Sequence, residues 1–204
     1  MRVGILGGTF DPPHVGHLLT ASDALEALSL DQVVFIPNAL QPLKDAGPMA
    51  PGEDRLAMVR LLCAGDPRFA VDATEVTRGG LSFTVETLRE YRARMPAAAL
   101  FLLIGADVLE TLPSWREPEA IAALAEVVVL TRSFDGTGPA PASLGGVRRV
   151  ATRRVDVSST DIRARVRAGR RLTGFVPDAV AAYIAERGLY RTNDPASTGE
   201  GNES

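Results

Sequence analysis

Short apolar segments alternate with helix-type patterns along this chain, and the alternation limits the folds open to it. Four short segments rich in Val, Ile, Leu and Phe are typical of buried strands. They are RVGIL (2–6), QVVFIP (32–37), LFLLIG (100–105) and EVVVLT (126–131). Helix-type patterns lie between them, at 16–30, 52–65 and 84–95. Because such an order requires crossover connections, the sequence predicts an α/β fold: a doubly wound, mostly parallel sheet with helices on both faces.

The last third of the sequence predicts fewer strands and helices. Residues 133–146 lack periodicity and are rich in Gly and Pro, which is typical of an exposed loop. One or two short strands are expected within 148–157, and helices follow at 158–169 and 177–188. The polar segment 191–204 has the composition of a disordered tail. We therefore expect a single domain over 1–190, followed by that tail.

Composition excludes several classes of protein. Apolar residues make up 46% and charged residues 23% of the 204 residues, which is ordinary for a folded domain. No apolar run approaches the roughly 20 residues of a membrane helix, and the first residues lack a signal pattern. Cys63 is the only cysteine, so a disulfide framework is excluded and a core position is expected. These features predict a cytoplasmic protein without a membrane partner, and the net charge of −3 argues against a nucleic-acid partner.

The segment GILGGTFDPPHVGHL (4–18) follows the first strand and contains both histidines of the chain. In parallel sheets, ligands bind beyond the carboxyl ends of the strands. The dinucleotide pattern G-x-G-x-x-G and the phosphate loop G-x-x-x-x-G-K-[ST] are both absent, and the second strand ends without an acidic residue. Zinc is disfavoured because His14 and His17 have no third histidine and no acidic partner in an H-E-x-x-H pattern.

Phosphate chemistry remains as an interpretation of this loop. Gly7 and Gly8 let the backbone amides approach a polyphosphate closely. A helix predicted to begin near Gly16 would favour anions at its N-terminus. His14 and His17 add two donors that can stabilise charge on a reacting phosphorus.

Two motifs carry a resemblance to a known superfamily. GGTFDPPHVGH (7–17) resembles the G-G-[ST]-F-D-P-x-H-x-G-H box of the H-x-G-H nucleotidyltransferases, and VSSTDIR (157–163) resembles their second signature, I-S-S-T-x-I-R. The resemblance implies a Rossmann-like nucleotidyltransferase fold and two sets of residues. The catalytic set is His14, His17 and Arg163, and the ATP-binding set includes Gly7, Gly8, Thr9, Phe10, Gly16, Ser158, Ser159 and Thr160.

The second motif can also be interpreted from its residues alone. Ser158 and Asp161 have the spacing of a capping box, which places Ser159 and Thr160 in the first turn of a helix. Hydroxyls and amides there can bind phosphate, and Arg163 lies one turn further on. An ordinary capped helix is the alternative interpretation.

Three further stretches resemble the nicotinate mononucleotide adenylyltransferase branch, and the likeness extends over about residues 2–190. They are SFTVETL (82–88), GADVLETLPSWR (105–116) and LKDAGPMAPGEDR (43–55). The resemblance implies that Gly105 and Asp107 lie near the nucleotide ribose, that Trp115 packs on the pyridine ring, and that the segment of Thr84 holds the nicotinate carboxylate. Alternatives are a half-buried aromatic at Trp115 and a helix cap at Asp107.

Two basic residues of the third stretch are further substrate-binding candidates. Lys44 is the only lysine among 22 basic residues, and the resemblance makes it a phosphate contact. Arg55 is either a substrate contact or part of a solvated helix face.

The resemblance also implies the reaction. The phosphate of nicotinate mononucleotide attacks the α-phosphorus of ATP, forming deamido-NAD and pyrophosphate, with Mg²⁺ accompanying the triphosphate. The expected partners are therefore ATP and nicotinate mononucleotide, and homo-oligomer formation is left open. The alternatives are transfer to nicotinamide mononucleotide or phosphopantetheine, or a non-catalytic nucleotide-binding protein of the same fold.

Overall fold

The computed structural model describes residues 1–42, 47–131 and 147–191, so the predicted loop at 133–146 and the tail beyond Arg191 lie outside the described residues. Within these ranges, six strands form one sheet. They are β1 (Arg2–Gly8), β2 (Gln32–Pro37), β3 (Phe69–Val71), β4 (Ala99–Gly105), β5 (Glu126–Thr131) and β6 (Arg148–Ala151). All neighbouring pairs are parallel, in the order β3-β2-β1-β4-β5-β6.

The helices connect these strands across both faces of the sheet. In the described ranges they are α1 (Val15–Ala27), α2 (Gly52–Cys63), α3 (Thr74–Arg78), α4 (Thr84–Arg94), α5 (Ala106–Leu109), α6 (Pro118–Leu124), α7 (Ser159–Arg167) and α8 (Asp178–Glu186), with a 3-10 turn at Leu112–Ser114. The predicted strands and helices are confirmed, with ends shifted by a few residues. None of the helices in this part of the chain has the length and apolar character needed to cross a bilayer.

Two hydrophobic cores flank the sheet, which confirms the prediction of helices on both faces. Side chains alternate along β2: Val33 and Phe35 pack in the core that contains residues of α1, α2, α7 and α8. Val34 and Ile36 pack in the opposite core, with residues of α4 and α6. Cys63 is buried in the first core as predicted, and desolvation raises the pKa of its thiol to about 12.

The order of the strands places a crevice at one edge of the sheet. From β1 the sheet grows toward β2 and β3 on one side, and toward β4, β5 and β6 on the other. The connections therefore diverge at β1, and ligands bind parallel sheets at such a switch point, outside the carboxyl ends of the strands. Gly8 ends β1 beside Pro37 of β2. The glycine-rich loop leaves the sheet at this point.

Candidate active site

Two adjoining cavities open at the carboxyl ends of β1, β2 and β4. The first, of about 350 Å³, is here called the Trp115 cavity; the second, of about 470 Å³, is the His17 cavity. Asn38 and Gln41 line both. The predicted residues that line the Trp115 cavity are Gly7, Gly8, Thr84, Gly105 and Trp115. Those that line the His17 cavity are Thr9, Phe10, His17, Ser159, Thr160 and Arg163.

His17 lies in the first turn of α1 with its ring packed on two neighbours. It stacks on His14 with ring centroids 3.8 Å apart and meets Phe10 edge-on at 5.0 Å. The amide of His14 donates to His17 Nδ1 at 3.1 Å. Burial, together with the charge of His14, holds the pKa of His17 well below its usual value. The neutral ring therefore carries its proton on Nε2 and has one donor to offer to a ligand.

His14 lies behind His17 and does not line either cavity. It is the N-cap residue of α1 and is only 8% exposed. A Cβ atom at Gly16 would come within 2.9 Å of His14 Nδ1, so a side chain at this position would force the His14 ring to shift. His14 and Gly16 line neither cavity, and the roles in catalysis and ATP binding predicted for them stay predictions.

The N-terminus of α7 is fastened to the first motif, which joins the two sequence signatures into one site. Ser159 Oγ donates to the carbonyl of Pro12 at 2.8 Å, across 147 positions of sequence. Arg163 Nη1 donates to the carbonyl of Asp11 at 2.6 Å, and Nη2 donates to Thr160 Oγ1 at 3.1 Å. The predicted interaction of the capping box is present, because the amide of Asp161 donates to Ser158 Oγ at 3.1 Å. Ser158 caps the helix and lines neither cavity.

Asp11 is a buried residue whose carboxylate bonds to several segments of the chain, and sequence analysis did not single it out. Its carboxylate accepts bonds from the amides of Met49 (2.7 Å) and Ala50 (3.1 Å), and from the hydroxyl of Tyr190 (2.8 Å). These contacts tie the first motif to the segment before α2 and to the end of the last helix. Asp11 lines the His17 cavity, and through these bonds its carboxylate holds together the loops around that cavity.

The structure places Arg55 in an environment that neither interpretation of the sequence described. It is 1% exposed, so the solvated-face alternative is wrong, and it lines neither cavity. Its guanidinium binds four backbone carbonyls: Nη1 to those of Thr9 (2.8 Å) and Asn38 (2.7 Å), Nε to that of Ala50 (3.2 Å), and Nη2 to that of Ala39 (3.2 Å). Arg55 therefore joins the loops after β1 and β2, and its predicted contact with substrate stays a prediction.

Replacing Arg55 by methionine is expected to lower the free energy of unfolding by about 3 kcal/mol or more, since several buried carbonyls lose their donor. Urea denaturation of the two proteins measures this loss. Arg60→Met is the matched control, because Arg60 is an exposed residue of the same helix and should be nearly neutral. A variant as stable as wild type, with only its substrate KM raised, would restore the substrate-contact interpretation.

Trp115 stands half-buried at the wall of its cavity. Its indole N–H donates to Thr111 Oγ1 at 3.2 Å, and its backbone amide donates to the carbonyl of Leu112 at 3.1 Å. Thr84, which lines the same cavity, begins α4, and this helix has no capping side chain. Neither the amide of Thr84 nor that of Arg116 has an acceptor among the described residues. Two backbone donors are thus available near the indole.

Gly105, Asp107 and Lys44 complete the predicted set. Gly105 lines the Trp115 cavity, and a Cβ there would lie 2.5 Å from Asp107 Oδ1. Asp107 is exposed in α5 and lines neither cavity. It is not the helix cap, because Gly105 takes that position. Lys44 falls in 43–46, outside the described residues.

Two buried polar residues of the cavities were missed by sequence analysis. Asn38 directly follows β2, and its buried Oδ1 has no hydrogen-bond partner in the described part of the chain. Its position directly after a predicted strand, at the edge where ligands bind parallel sheets, could have marked Asn38 as a candidate site residue. Glu75 lines the Trp115 cavity and accepts a bond from Thr87 Oγ1 at 2.6 Å; burial raises its pKa. Nothing in the sequence distinguished Glu75 from a surface carboxylate.

Comparison with known proteins agrees with this geometry. Residues 5–165 match the cytidylyltransferase-like family. A relative from Gemmatimonas aurantiaca is 53% identical over 94% of this chain and 93% of its own length. One from Thermus thermophilus is 44% identical over 94% of this chain and the whole of its own. Both bear the name "Probable nicotinate-nucleotide adenylyltransferase".

A solved structure has the same fold at low sequence identity. It is a Plasmodium falciparum nicotinic acid mononucleotide adenylyltransferase in complex with NaAD. Its TM-score is 0.73 with 15% identity, over 93% of this chain and 97% of that one. The likeness supports the Rossmann-like nucleotidyltransferase fold. Since relatives more than 40% identical match over nearly their whole length, the chain belongs to the nicotinate-nucleotide adenylyltransferase family.

Proposed function

We propose that this protein transfers the adenylyl group of ATP to nicotinate mononucleotide, a step of NAD biosynthesis. A phosphate oxygen of the mononucleotide forms a bond to the α-phosphorus of ATP. The bond from that phosphorus to the bridging oxygen breaks, and pyrophosphate leaves with the electron pair. One observation carries the proposal: in a chain of this family, a cavity with an indole in its wall adjoins a cavity lined by side chains that can donate hydrogen bonds to phosphate.

The two cavities suit the two ends of this reaction. Trp115 gives the first cavity a flat aromatic wall on which a pyridine ring can stack. The second cavity has His17, Thr160 and Arg163 as donors beside the N-termini of α1 and α7, a setting that favours polyphosphate. The attacking phosphate and the α-phosphorus of ATP would then meet where the cavities adjoin, next to Asn38.

The residues of the His17 cavity act by position and charge. Phosphoryl-type transfer gains most from donors held in place before charge builds up, and it needs no covalent intermediate. His17 presents Nε2–H from a ring fixed by Phe10 and His14. Arg163 keeps its guanidinium beside the cavity by bonding Asp11 and Thr160, and its remaining N–H groups face the leaving pyrophosphate. Lys44 remains a proposed phosphate contact.

Nucleotidyl transfer from a triphosphate generally uses a divalent cation to offset its charge. No group of three or more metal-binding side chains occurs in the described ranges, and the Asp11 carboxylate is already bonded. We propose that Mg²⁺ enters with ATP as part of the substrate, held by phosphates and water.

The proposal is tested by incubating the protein with MgATP and a panel of phosphorylated acceptors: nicotinate mononucleotide, nicotinamide mononucleotide and phosphopantetheine. We expect pyrophosphate release and formation of deamido-NAD, both resolved by chromatography. Release with phosphopantetheine alone would favour the other adenylyltransferase reaction. ATP binding without release of pyrophosphate in the presence of any acceptor would indicate a non-catalytic nucleotide-binding protein.

Arg163→Ala is expected to raise the KM for ATP by about tenfold or more, with a smaller change in the KM for the mononucleotide. The guanidinium lies in the cavity assigned to the phosphates that leave as pyrophosphate. Steady-state kinetics with each substrate varied in turn measure both constants. Arg167→Ala on the same helix is the control, because Arg167 is exposed and lines neither cavity. A change confined to the mononucleotide would mean that the substrates occupy the cavities in the reverse order.

A further inference from the structure

We infer that the Arg116 side chain is a specificity determinant of the Trp115 cavity, selecting mononucleotides whose ring carries an anionic substituent. The inference rests on the proposed function and goes beyond it, because it assigns acid selectivity in part to a side-chain charge. Arg116 follows the indole directly in the chain and lines the same cavity. Sequence analysis attached no role to it.

Two contacts hold the guanidinium at the amino end of α4, and its Nε also lies 3.9 Å from Glu117 Oε1. Its Cζ lies 4.8 Å from the centre of the Phe83 ring, and its Nη1 donates to Glu86 Oε1 at 2.7 Å. Phe83 itself lines the cavity and immediately precedes Thr84, the first residue of the helix. The guanidinium is therefore fixed beside the part of the cavity wall where the uncapped Thr84 amide lies.

Two sources of positive charge lie in this wall of the cavity, and their effects on an anion add. The N-terminus of an 11-residue helix carries partial positive charge, and the guanidinium adds a full one. An arginine has five N–H donors, so the bond to Glu86 leaves others for a ligand. A carboxylate can accept such bonds in pairs, whereas an amide has a single acceptor oxygen and no net charge.

Acidic groups near the wall weaken this field without cancelling it. Glu86 and Glu117 partly neutralise Arg116. Glu86 also lies 3.7 Å from Arg78, and Glu117 also pairs with Arg89. Glu75 lines the cavity, but its hydroxyl partner Thr87 and its raised pKa reduce its repulsion of an anion. Since the Arg116 side chain is 50% exposed, water and salt screen it, and a moderate effect is expected.

The test compares wild type, Arg116→Gln and Arg116→Lys. Glutamine removes the charge, and the ratio of kcat/KM for nicotinate mononucleotide over nicotinamide mononucleotide should fall by about tenfold, through loss on the acid alone. Lysine should retain most of the ratio. Calorimetric titration with each mononucleotide in the absence of ATP should show the same selective loss of binding.

Arg148→Gln is the matched control. Arg148 pairs with Glu126 on the surface, is exposed to a similar extent as Arg116, and does not line the cavity. Its ratio should equal that of wild type. An unchanged ratio in Arg116→Gln, or an equal loss on acid and amide, would overturn the inference. A wild-type protein that adenylylates neither mononucleotide would instead refute the proposed function, so the two failures are distinguishable.

Discussion

Replacing His17 by alanine is expected to lower kcat by about 10²–10³-fold, the usual cost of losing one donor that meets charge in the transition state. The neutral ring is held between His14 and Phe10 and lines the cavity assigned to the phosphates. Burial keeps the pKa of His17 low, so in the free protein the Nε2–H donor is present throughout the neutral pH range. Single-turnover measurements at saturating MgATP report the loss directly.

Two control measurements distinguish loss of the His17 donor from loss of the fold. Thermal denaturation should show that His17→Ala stays folded, because the ring lies at a cavity wall. His17→Gln keeps an N–H donor on a side chain of similar reach and should recover part of the rate. Comparable turnover in wild type and His17→Ala would remove His17 from the mechanism.

The fold was predictable because its main elements repeat one simple pattern. Parallel strands covered on both faces are continuous apolar runs, and the four longest of them stand out in the sequence. Strand β3 spans only Phe69–Val71, and α3 only Thr74–Arg78. Each of these elements has fewer than two strand repeats or helical turns, so hydrophobic periodicity in the sequence could not reveal it. They are fixed by their neighbours in the sheet and in the core.

The candidate site was predictable only where its residues form contiguous motifs. His17 and Arg163 lie in two short signatures, and both reach the same cavity. The partners that hold the motifs in place are distant: the Asp11–Tyr190 bond spans 179 positions. The sequence could not reveal the burial of Arg55 for the same reason. The carbonyls that surround it belong to loops that come together only in the folded chain.

The Trp115 cavity is expected to favour nicotinate mononucleotide over its amide by about a hundredfold in kcat/KM, and its backbone donors contribute to this preference together with the charge of Arg116. The amide of Trp115 already donates to Leu112, so the available donors are the amides of Thr84 and Arg116. A carboxylate can accept from both. The NH₂ of the amide substrate would face one of them and leave a buried donor unpaired, at about 1–3 kcal/mol for each such contact.

Stacking on the indole contributes little to this preference, because it depends on ring area and shape rather than on one substituent. Trp115→Ala should therefore weaken both mononucleotides while largely preserving their ratio, and Trp115→Phe should weaken both less. Initial rates with each mononucleotide at saturating MgATP give the two efficiencies. Equal efficiency on acid and amide in the unmodified protein would contradict the donor arrangement proposed for Thr84 and Arg116. It would leave adenylyl transfer itself untouched, because that chemistry depends on the His17 cavity, where the pyridine substituent has no contact.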